Sequence, residues 1–296
     1  MDLAALHAFA EVARTRSFSL AADALHLTQP AVSRRIAGLE TELGARLFDR
    51  IGRQVTLTEA GTALLPRARA LLNDAADLRR LVSSLSGRVE GPLVMATSHH
   101  VGLRRLPPVL RRFTRLHPLV ALEIRFMDSE AACHGVEAGE LELAVVTLPL
   151  EPIAALETVP VWRDPLRFVV AADDPLAGAT TVLIEELARR PAVLPSSATY
   201  TRAILERAMR EHGLTLDVRM STNYLETLRM LVATGFGWSL LPQTLVDGEI
   251  RALPVAWPAL ERALGVVVHR SRALSNAARA MIECCRADGD QPQPAA

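Results

Sequence analysis

The residues with the clearest chemistry lie near the start of one short predicted helix. Its polar face consists of Gln29, Ser33, Arg34 and Arg35. Its apolar face, which we expect to be buried, consists of Val32, Ile36, Leu39 and Leu43. Arginine suits phosphate and guanine through its paired donors, and Gln, Ser and Arg near a helix N-terminus are typical of a helix that enters the major groove of DNA.

Net charge alone argues against a phosphate-binding protein. The chain has 33 basic and 33 acidic residues, and every basic residue is arginine. Within residues 1–58, seven arginines stand against six acidic residues, which leaves a net charge of about +1. Binding would then depend on arrangement, with Glu40 and Glu42 turned inward and Arg34 and Arg35 facing the nucleic acid. The alternative is that the two arginines belong to an ordinary solvated face.

Three predicted helices would position these side chains. The first covers residues 2–16, where apolar residues recur at three- and four-residue spacing. The second covers Leu20 to His26, and the third begins after Thr28, carries Pro30 in its first turn and ends at Gly44. The last two helices and their tight turn form a predicted helix-turn-helix.

This segment resembles the N-terminal signature of LysR-type bacterial transcription regulators. The matching positions are Ser17, Phe18, Ser19, Ala21, Ala22, Leu25, Gln29, Pro30, Ala31, Val32, Ser33, Ile36, Leu39, Glu40, Leu43, Gly44, Leu47, Phe48 and Arg50. Val55 to Gly61 is similar to the family's wing and the start of its linker helix. The resemblance implies a winged helix-turn-helix over residues 1–58 that binds double-stranded promoter DNA. The implied DNA contacts are Thr28, Gln29, Pro30, Ser33, Arg34, Arg35, Arg50 and Arg53.

A long helix is predicted over residues 59–87, with Pro66 expected to kink it or cost one backbone hydrogen bond. Apolar residues recur along it in a 4-3-4-3 spacing, at Leu64, Ala68, Leu71, Ala75, Leu78, Val82 and Leu85. This heptad seam predicts helix pairing between two chains, as a reader of two half-sites requires. The alternative is a surface helix that packs on its own core. In the family, dimers often pair further into tetramers.

Beyond the hinge-like Glu90-Gly91-Pro92 cluster, strand-like and helical patterns alternate, which predicts an α/β fold with a mainly parallel sheet. The predicted strands are Leu93–Thr97, Val120–Phe126, Leu143–Thr147, Leu166–Ala171, Ala192–Leu194, Val218–Ser221 and Trp238–Leu241. The predicted helices are Leu103–Leu116, Ser129–Gly139, Thr201–Glu211 and Tyr224–Ala233. These elements indicate two α/β lobes.

The family's lobes resemble type 2 periplasmic binding proteins. That resemblance implies a first lobe over residues 92–162 and 269–286 and a second over residues 163–268. The chain would cross between lobes near Trp162 to Arg167 and near Val267 to Arg270. Residues 287–296 are polar and contain proline, and we expect them to be disordered.

The same resemblance implies a small-molecule effector, anionic or polar, in the cleft between the lobes. Its candidate contacts are Thr97, Ser98, His99, His100, Thr147, Thr199 and Thr201. Hydroxyls at these strand ends could instead cap their own helices, and the histidines could be packed or solvent-facing. The segment Thr97 to Leu103 faintly resembles family members linked to sulfur assimilation or redox metabolism.

Several other classes of protein lack support in the sequence. Adjacent histidines do not have zinc-binding spacing, no catalytic signature is present, and we expect no cofactor and no enzyme activity. Cys133, Cys284 and Cys285 are expected to be buried thiols. No apolar run approaches the roughly 18 residues of a membrane span, and we expect a cytoplasmic protein. RNA polymerase is a candidate partner, and the rival hypothesis is a solute-binding or enzymatic α/β module with an N-terminal interaction arm.

Overall fold

The computed structural model describes residues 2–51, 54–85 and 87–289. The chain divides into two compact units. The first spans Met1–Ser86 with the short segment Ala138–Glu140, and the second spans Gly87–Glu137 and Leu141–Ala296. No helix among the described residues is both long enough and apolar enough to cross a membrane.

The first unit is a winged helix-turn-helix followed by a long helix. Its elements are α1 (Leu3–Thr15), α2 (Phe18–Ala24), α3 (Gln29–Leu43), the antiparallel pair β1 (Phe48–Ile51) and β2 (Gln54–Leu57), and α4 (Glu59–Ser84). Phe9, Val12 and Ile36 are buried at the centre of its core. The predicted architecture of this region is confirmed.

Helix ends in this unit are set by local hydrogen bonds. The Ser17 hydroxyl accepts from the Leu20 amide at 3.3 Å, so α2 begins two residues before the predicted start. Gly44 ends α3 with φ of 65°, a left-handed conformation that glycine adopts without strain. Leu43, predicted on the buried face, is 42% exposed, because it lies in the last turn, next to the residue where the helix stops.

The long helix α4 changes character along its length. Its first half packs on the helix-turn-helix core, where Ala68 is fully buried. Further along, the seam is open to solvent, with Leu78, Val82 and Leu85 at 64%, 67% and 80% exposure. Pro66 lies inside the helix, which continues past it and ends at Ser84 rather than at the predicted residue 87.

The second unit is built on a seven-stranded mixed sheet. The prediction of a mainly parallel sheet is wrong. Among the described strands, only β3 pairs in parallel with its neighbours β4 and β5, and all the other pairings of the sheet are antiparallel. Its strands are β3 (Gly91–Thr97), β4 (Val120–Phe126), β5 (Leu143–Thr147), β6 (Leu156–Ala171), β9 (Ser239–Pro242), β10 (Ile250–Ala252) and β11 (Leu260–His269). A separate parallel pair consists of β7 (Ala192–Leu194) and β8 (Val218–Ser221).

Helices cover the strands of this unit. They are α5 (His99–Arg104), α6 (Leu106–Leu116), α7 (Ser129–Glu137), α8 (Ile184–Ala188), α9 (Tyr200–Glu211), α10 (Leu225–Ala233) and α11 (Asn276–Asp288). The single helix predicted over Leu103–Leu116 is two helices, because Pro107 and Pro108 cannot donate the backbone hydrogen bonds that would continue α5 into α6. Ala287 and Asp288 are helical, so the predicted disorder is wrong there, and residues 290–296 lie outside the described residues.

Two strands cross between two lobes. Along β6, Trp162 packs in the core of the first lobe and Leu166 in that of the second. Along its antiparallel partner β11, Leu260 packs on the second lobe and Leu264 is buried in the first. The return crossing therefore lies before Leu264, and the boundary predicted at residues 268 and 269 is wrong because β11 enters the first lobe earlier.

The crossing strands approach each other closely at Gly265. A Cβ atom there would lie 2.2 Å from the Val159 carbonyl oxygen, and the register of the pair shifts between Leu264 and Gly265. Any side chain at this position would push the two strands apart. The connection between the lobes is thus a tightly paired ribbon.

Candidate functional site

The first candidate site is the exposed N-terminal face of α3. Thr28 caps the helix in an extended conformation without a side-chain capping bond, and Thr28, Gln29, Pro30 and Arg34 are exposed. Ser33 and Arg35 are half-buried, and the Gln29 amide donates to the Ser33 hydroxyl at 3.3 Å.

Of the two acidic residues predicted to turn inward, Glu40 is held away from this face, whereas Glu42 is exposed. The Glu40 carboxylate accepts from the amides of Leu47 and Phe48 at 2.7 and 3.4 Å, which ties it to the start of the wing. Within the described part of the chain, no ion pair or side-chain hydrogen bond engages Arg34 or Arg35. Both guanidinium groups are therefore available to phosphates or bases.

Two predicted DNA contacts belong to the wing. Arg50 lies on β1 and pairs across the hairpin with Val55. Arg53 lies outside the described residues. The hairpin that carries Arg50 follows α3 directly in the chain, as in a winged helix-turn-helix.

The second candidate site is a cleft between the two lobes of the second unit. The empty volume of the cleft is about 460 Å³ when the space at its open mouth is included. The part of this volume that the centre of a water molecule can occupy is about 50 Å³. Six of the predicted effector contacts line it together: Ser98, His99, His100, Thr147, Thr199 and Thr201. Thr97 does not line it, because its side chain is fully buried and donates to the Val145 carbonyl oxygen at 2.8 Å.

The lining hydroxyls differ in what they already bind. Thr199 caps α9, accepting from the Arg202 amide at 3.3 Å and donating to the Ser196 carbonyl oxygen at 2.9 Å. Thr201 accepts from a guanidinium nitrogen of Arg262 at 2.9 Å, which leaves its own hydrogen free to donate. Ser98 begins α5 without a side-chain capping bond. Local capping thus accounts for Thr199 but not for Thr201 or Ser98.

A buried charge cluster at the cleft was missed by sequence reasoning. Asp164 on β6 and Arg262 on β11 lie directly opposite each other, and Arg262 Nε donates to Asp164 Oδ2 at 2.7 Å. Asp164 is completely buried and Arg262 is 5% exposed. Arg105 and His100 approach the same carboxylate at 3.6 and 3.9 Å. The sequence gives no clear signal for this pair, because both crossing strands also carry other charged residues that are exposed or half-buried.

Several polar atoms of this cluster have no hydrogen-bond partner among the described residues. They are Nη2 of Arg262, both ring nitrogens of His100, Oδ1 of Asp164 and Nε of Arg105. Burial, and next the Arg262 charge, lower the pKa of His100 to about 4, so its ring is neutral near pH 7. Buried polar atoms without partners are costly and rare, and they make this end of the cleft a candidate binding site.

The mouth of the cleft carries two carboxylates from the first lobe that bind the second lobe. Asp128 accepts from the side-chain amide of Asn223 at 2.7 Å. Glu130 accepts from the backbone amide of Tyr200 at 2.5 Å, and burial raises the pKa of Glu130. The His99 ring packs edge-on against Tyr224 at 4.8 Å between ring centres. These contacts hold the lobes together around the cleft.

Metal and thiol chemistry find little support here. The described residues contain no group of three His, Cys, Asp or Glu side chains that could hold a metal ion. Cys133, Cys284 and Cys285 are buried free thiols. Burial raises the pKa of Cys133 to about 11 and that of Cys285 to about 12, so both remain protonated near pH 7.

Two family models match this chain, one over each of its two units. Residues 3–62 match the model of the bacterial regulatory helix-turn-helix protein, lysR family, and residues 86–290 match that of the LysR substrate binding domain. A probable nitrogen assimilation transcriptional activator of Synechococcus elongatus is 31% identical over 97% of this chain and 94% of its own length.

Solved structures give the same result. The structure of full-length OxyR from Pseudomonas aeruginosa, determined with one cysteine replaced by aspartate, has a TM-score of 0.74 and 26% identity, covering 99% of both chains. Full-length CbnR in complex with its target DNA has a TM-score of 0.66 and 20% identity, covering 98% of this chain and all of that one, and it supports the fold alone. Since a single family model covers more than half of the sequence, the chain belongs to the LysR family of DNA-binding transcription regulators with an effector-binding domain.

Proposed function

We propose that the protein binds its promoter DNA through the exposed face of α3 and that a small molecule in the cleft modulates this binding. The observation that carries the proposal is the polar face at the start of α3, where Gln29 and Arg34 are exposed within a winged helix-turn-helix. Gln29, Ser33 and Arg34 would meet base edges and Arg35 the phosphates, with Arg50 and Arg53 of the wing at the flanking backbone.

A second copy of the chain completes this reader. The exposed leucines and valine of the α4 seam, Leu78, Val82 and Leu85, form an apolar stripe that the first unit itself leaves uncovered. Two such stripes would pair as a coiled coil and set two α3 helices at the spacing of two half-sites. Assembly of dimers into a tetramer and contact with RNA polymerase extend the proposal and rest on the family resemblance.

The cleft would act as the sensor. Its lining comes from both lobes, so a ligand that contacts Ser98 and Thr147 on one side and Thr201 on the other would change the relative stability of open and closed arrangements. Such a ligand alters DNA binding only if it binds two states of the regulator with different affinity. We propose no catalytic step at this site.

The pathway that this regulator controls would follow from the identity of its effector. One relative is named for nitrogen assimilation and a similar solved structure is that of OxyR, so the names give no common pathway. The buried thiols do not support the faint resemblance to redox-linked members, because a protonated thiol is a poor nucleophile.

Gel-shift titration of the purified full-length protein tests the proposal directly. The labelled fragment is the DNA upstream of its own gene, the competitor is unrelated DNA, and the titration is repeated at two salt concentrations. We expect selective retention that weakens as salt rises, since arginines on phosphates release counterions. Equal loss to the unrelated competitor at both salt concentrations would refute sequence-specific binding.

A further inference from the structure

We propose that the cleft binds a small acid with one carboxylate and a neighbouring hydrogen-bond donor, that is, an amino acid or a hydroxy acid. The inference rests on the proposed function for its regulatory meaning and on the geometry of the cleft for its chemistry. The carboxylate would bind Arg262 deep in the cleft, and the donor would face Asp128 and Glu130 at the mouth.

The deep end is built to bind an acceptor. Arg262 is almost fully buried, its Nε and Nη1 are used by Asp164 and Thr201, and its Nη2 has no partner among the described residues. A guanidinium held rigidly on two sides with its remaining donor unused is preorganised for an oxyanion. Water satisfies such a donor less well than a carboxylate, because a charge-assisted hydrogen bond is the stronger one.

Neighbouring groups at this end are also donors. The Thr201 hydroxyl already accepts from Arg262 and therefore turns its hydrogen elsewhere. Ser98 and Thr147 line the cleft, and no described hydrogen bond engages the hydroxyl of either residue. The neutral His100 ring offers one N–H, and neither of its nitrogens has a partner among the described residues. A carboxylate placed here would meet several donors and no competing anion except the paired Asp164.

The mouth has the opposite character. Asp128 and Glu130 line it and each uses part of its hydrogen-bonding capacity on the second lobe, through Asn223 and Tyr200 respectively. A carboxylate can accept about four hydrogen bonds, so both retain lone pairs for a ligand. An ammonium or hydroxyl group would be bound here, whereas a second carboxylate would be repelled.

Charge and size together narrow the ligand. Arg262 is offset by Asp164, so the charges left over at the cleft lining are the two carboxylates at the mouth, and a dianion is disfavoured. The space that the centre of a water molecule can reach, about 50 Å³, suits a compact molecule. A monocarboxylate with an adjacent amino or hydroxyl group satisfies both ends.

Four three-carbon probes test this with the full-length protein: L-alanine, L-lactate, propionate and malonate. Isothermal titration at millimolar probe concentration would measure their affinities. We expect alanine or lactate to bind more than about tenfold tighter than propionate, which leaves the mouth carboxylates unsatisfied, and tighter than malonate. Binding of alanine but not lactate identifies an amino acid, and the reverse a hydroxy acid. The proposal would be overturned if propionate or malonate bound with the same affinity as alanine and lactate, or if none of the four probes bound.

Three variants locate the two ends. The paired change Asp164→Asn with Arg262→Gln removes both buried charges together, so that neither is left without its counter-charge, and it should abolish binding of every probe. Glu130→Gln should reduce alanine affinity more than lactate affinity, because it removes a negative charge from the mouth. Arg251→Gln, at an exposed arginine of β10 outside the cleft lining, is the matched control. Unchanged affinity in the paired variant, with its fold intact by circular dichroism, would remove Arg262 from the site.

The gel shift on the same preparations separates this inference from the proposed function. Specific DNA binding without any probe binding refutes the ligand class alone. Probe binding at Arg262 without specific DNA binding supports the ligand class and refutes the regulator.

Discussion

The two candidate sites satisfy their polar groups in opposite ways. On the face of α3, Thr28, Gln29 and Arg34 are exposed to solvent, so their polar groups do not carry the cost of burial without a partner. In the cleft, His100, Asp164 and Arg262 are buried and keep polar atoms without partners among the described residues. A surface that binds a large polyanion can therefore stay solvated until DNA binds. A cavity for a small ligand instead carries a desolvation cost when it is empty, and the ligand relieves that cost.

The largest effect is expected at the α4 seam. It belongs to the same unit as the polar face of α3, yet it exposes apolar groups, so it departs from the contrast between the two sites. Changing Leu78 and Val82 together to glutamate should separate the two copies, because like charges replace the apolar stripe. DNA affinity should then fall by about a hundredfold or more, since two linked readers bind far tighter than one. Sedimentation and gel shift measure the two effects.

The control for the seam is Leu183→Glu, which places the same charge at a 60% exposed leucine of the second unit. It should leave both the oligomeric state and DNA affinity unchanged. A Leu78 and Val82 double variant that remains a dimer would show that α4 does not hold the copies together.

The buried pair of the cleft offers the next largest effect. Asp164→Asn should lower the free energy of unfolding of the second unit by about 3 kcal/mol, because Arg262 would stay buried without its counter-charge. The three tryptophans, Trp162, Trp238 and Trp257, lie in the second unit, so tryptophan fluorescence during urea unfolding reports on it.

Asp173→Asn, at an exposed aspartate of the second unit, is the control and should cost little. Specific DNA binding by the first unit should survive both changes below the urea transition. A loss no larger for Asp164 than for Asp173 would contradict a costly buried pair.

His100 gives the same site a dependence on pH. Its pKa is about 4 in the folded state and 6.5 in the unfolded reference, so only the unfolded chain gains this proton between those values. The stabilising contribution of neutral His100 is therefore complete above pH 6.5 and is lost as pH falls towards about 4, a total of about 3 kcal/mol. Comparison of unfolding free energies for the parent and His100→Gln across this range isolates it. Identical pH profiles would show that His100 titrates normally.

The smallest predicted effect concerns the hydrated face. Arg34→Ala should weaken specific DNA binding by about 1–3 kcal/mol or, if Arg34 contacts only phosphate, lower the salt slope by about one. Arg125→Ala is the control, since Arg125 is bound to Glu123 at 2.7 Å on β4 of the second unit. Affinity and salt slope that match the control would place Arg34 outside the interface.

Local patterns predicted much of this structure. The strands Val120–Phe126 and Leu143–Thr147 were predicted to the residue, because apolar spacing and flanking turn residues mark them clearly. The face of α3 was likewise apparent, since its buried residues recur at helical spacing. These features depend on interactions within a few residues along the chain.

The features that were missed depend on distant pairing. Asp164 and Arg262 are 98 residues apart, and they meet only because β6 and β11 lie side by side. Pro160 and Pro165 interrupt the strand-like pattern of the sequence within β6, so only part of this strand was predicted. Thr97 was assigned to the cleft because it ends a strand, but its hydroxyl is used by the neighbouring strand at Val145.

The late return of the chain to the first lobe has a consequence for synthesis. The core of that lobe includes Leu264 on β11 and Ala277 and Met281 on α11, far along the chain from β3 to β5. On the ribosome, the winged helix-turn-helix and then the segments of the second lobe emerge before these residues do. The edge of strand Leu143–Thr147 that pairs with β11 therefore stays unpaired until late in synthesis, and the first lobe completes its sheet only when the last part of the chain has emerged.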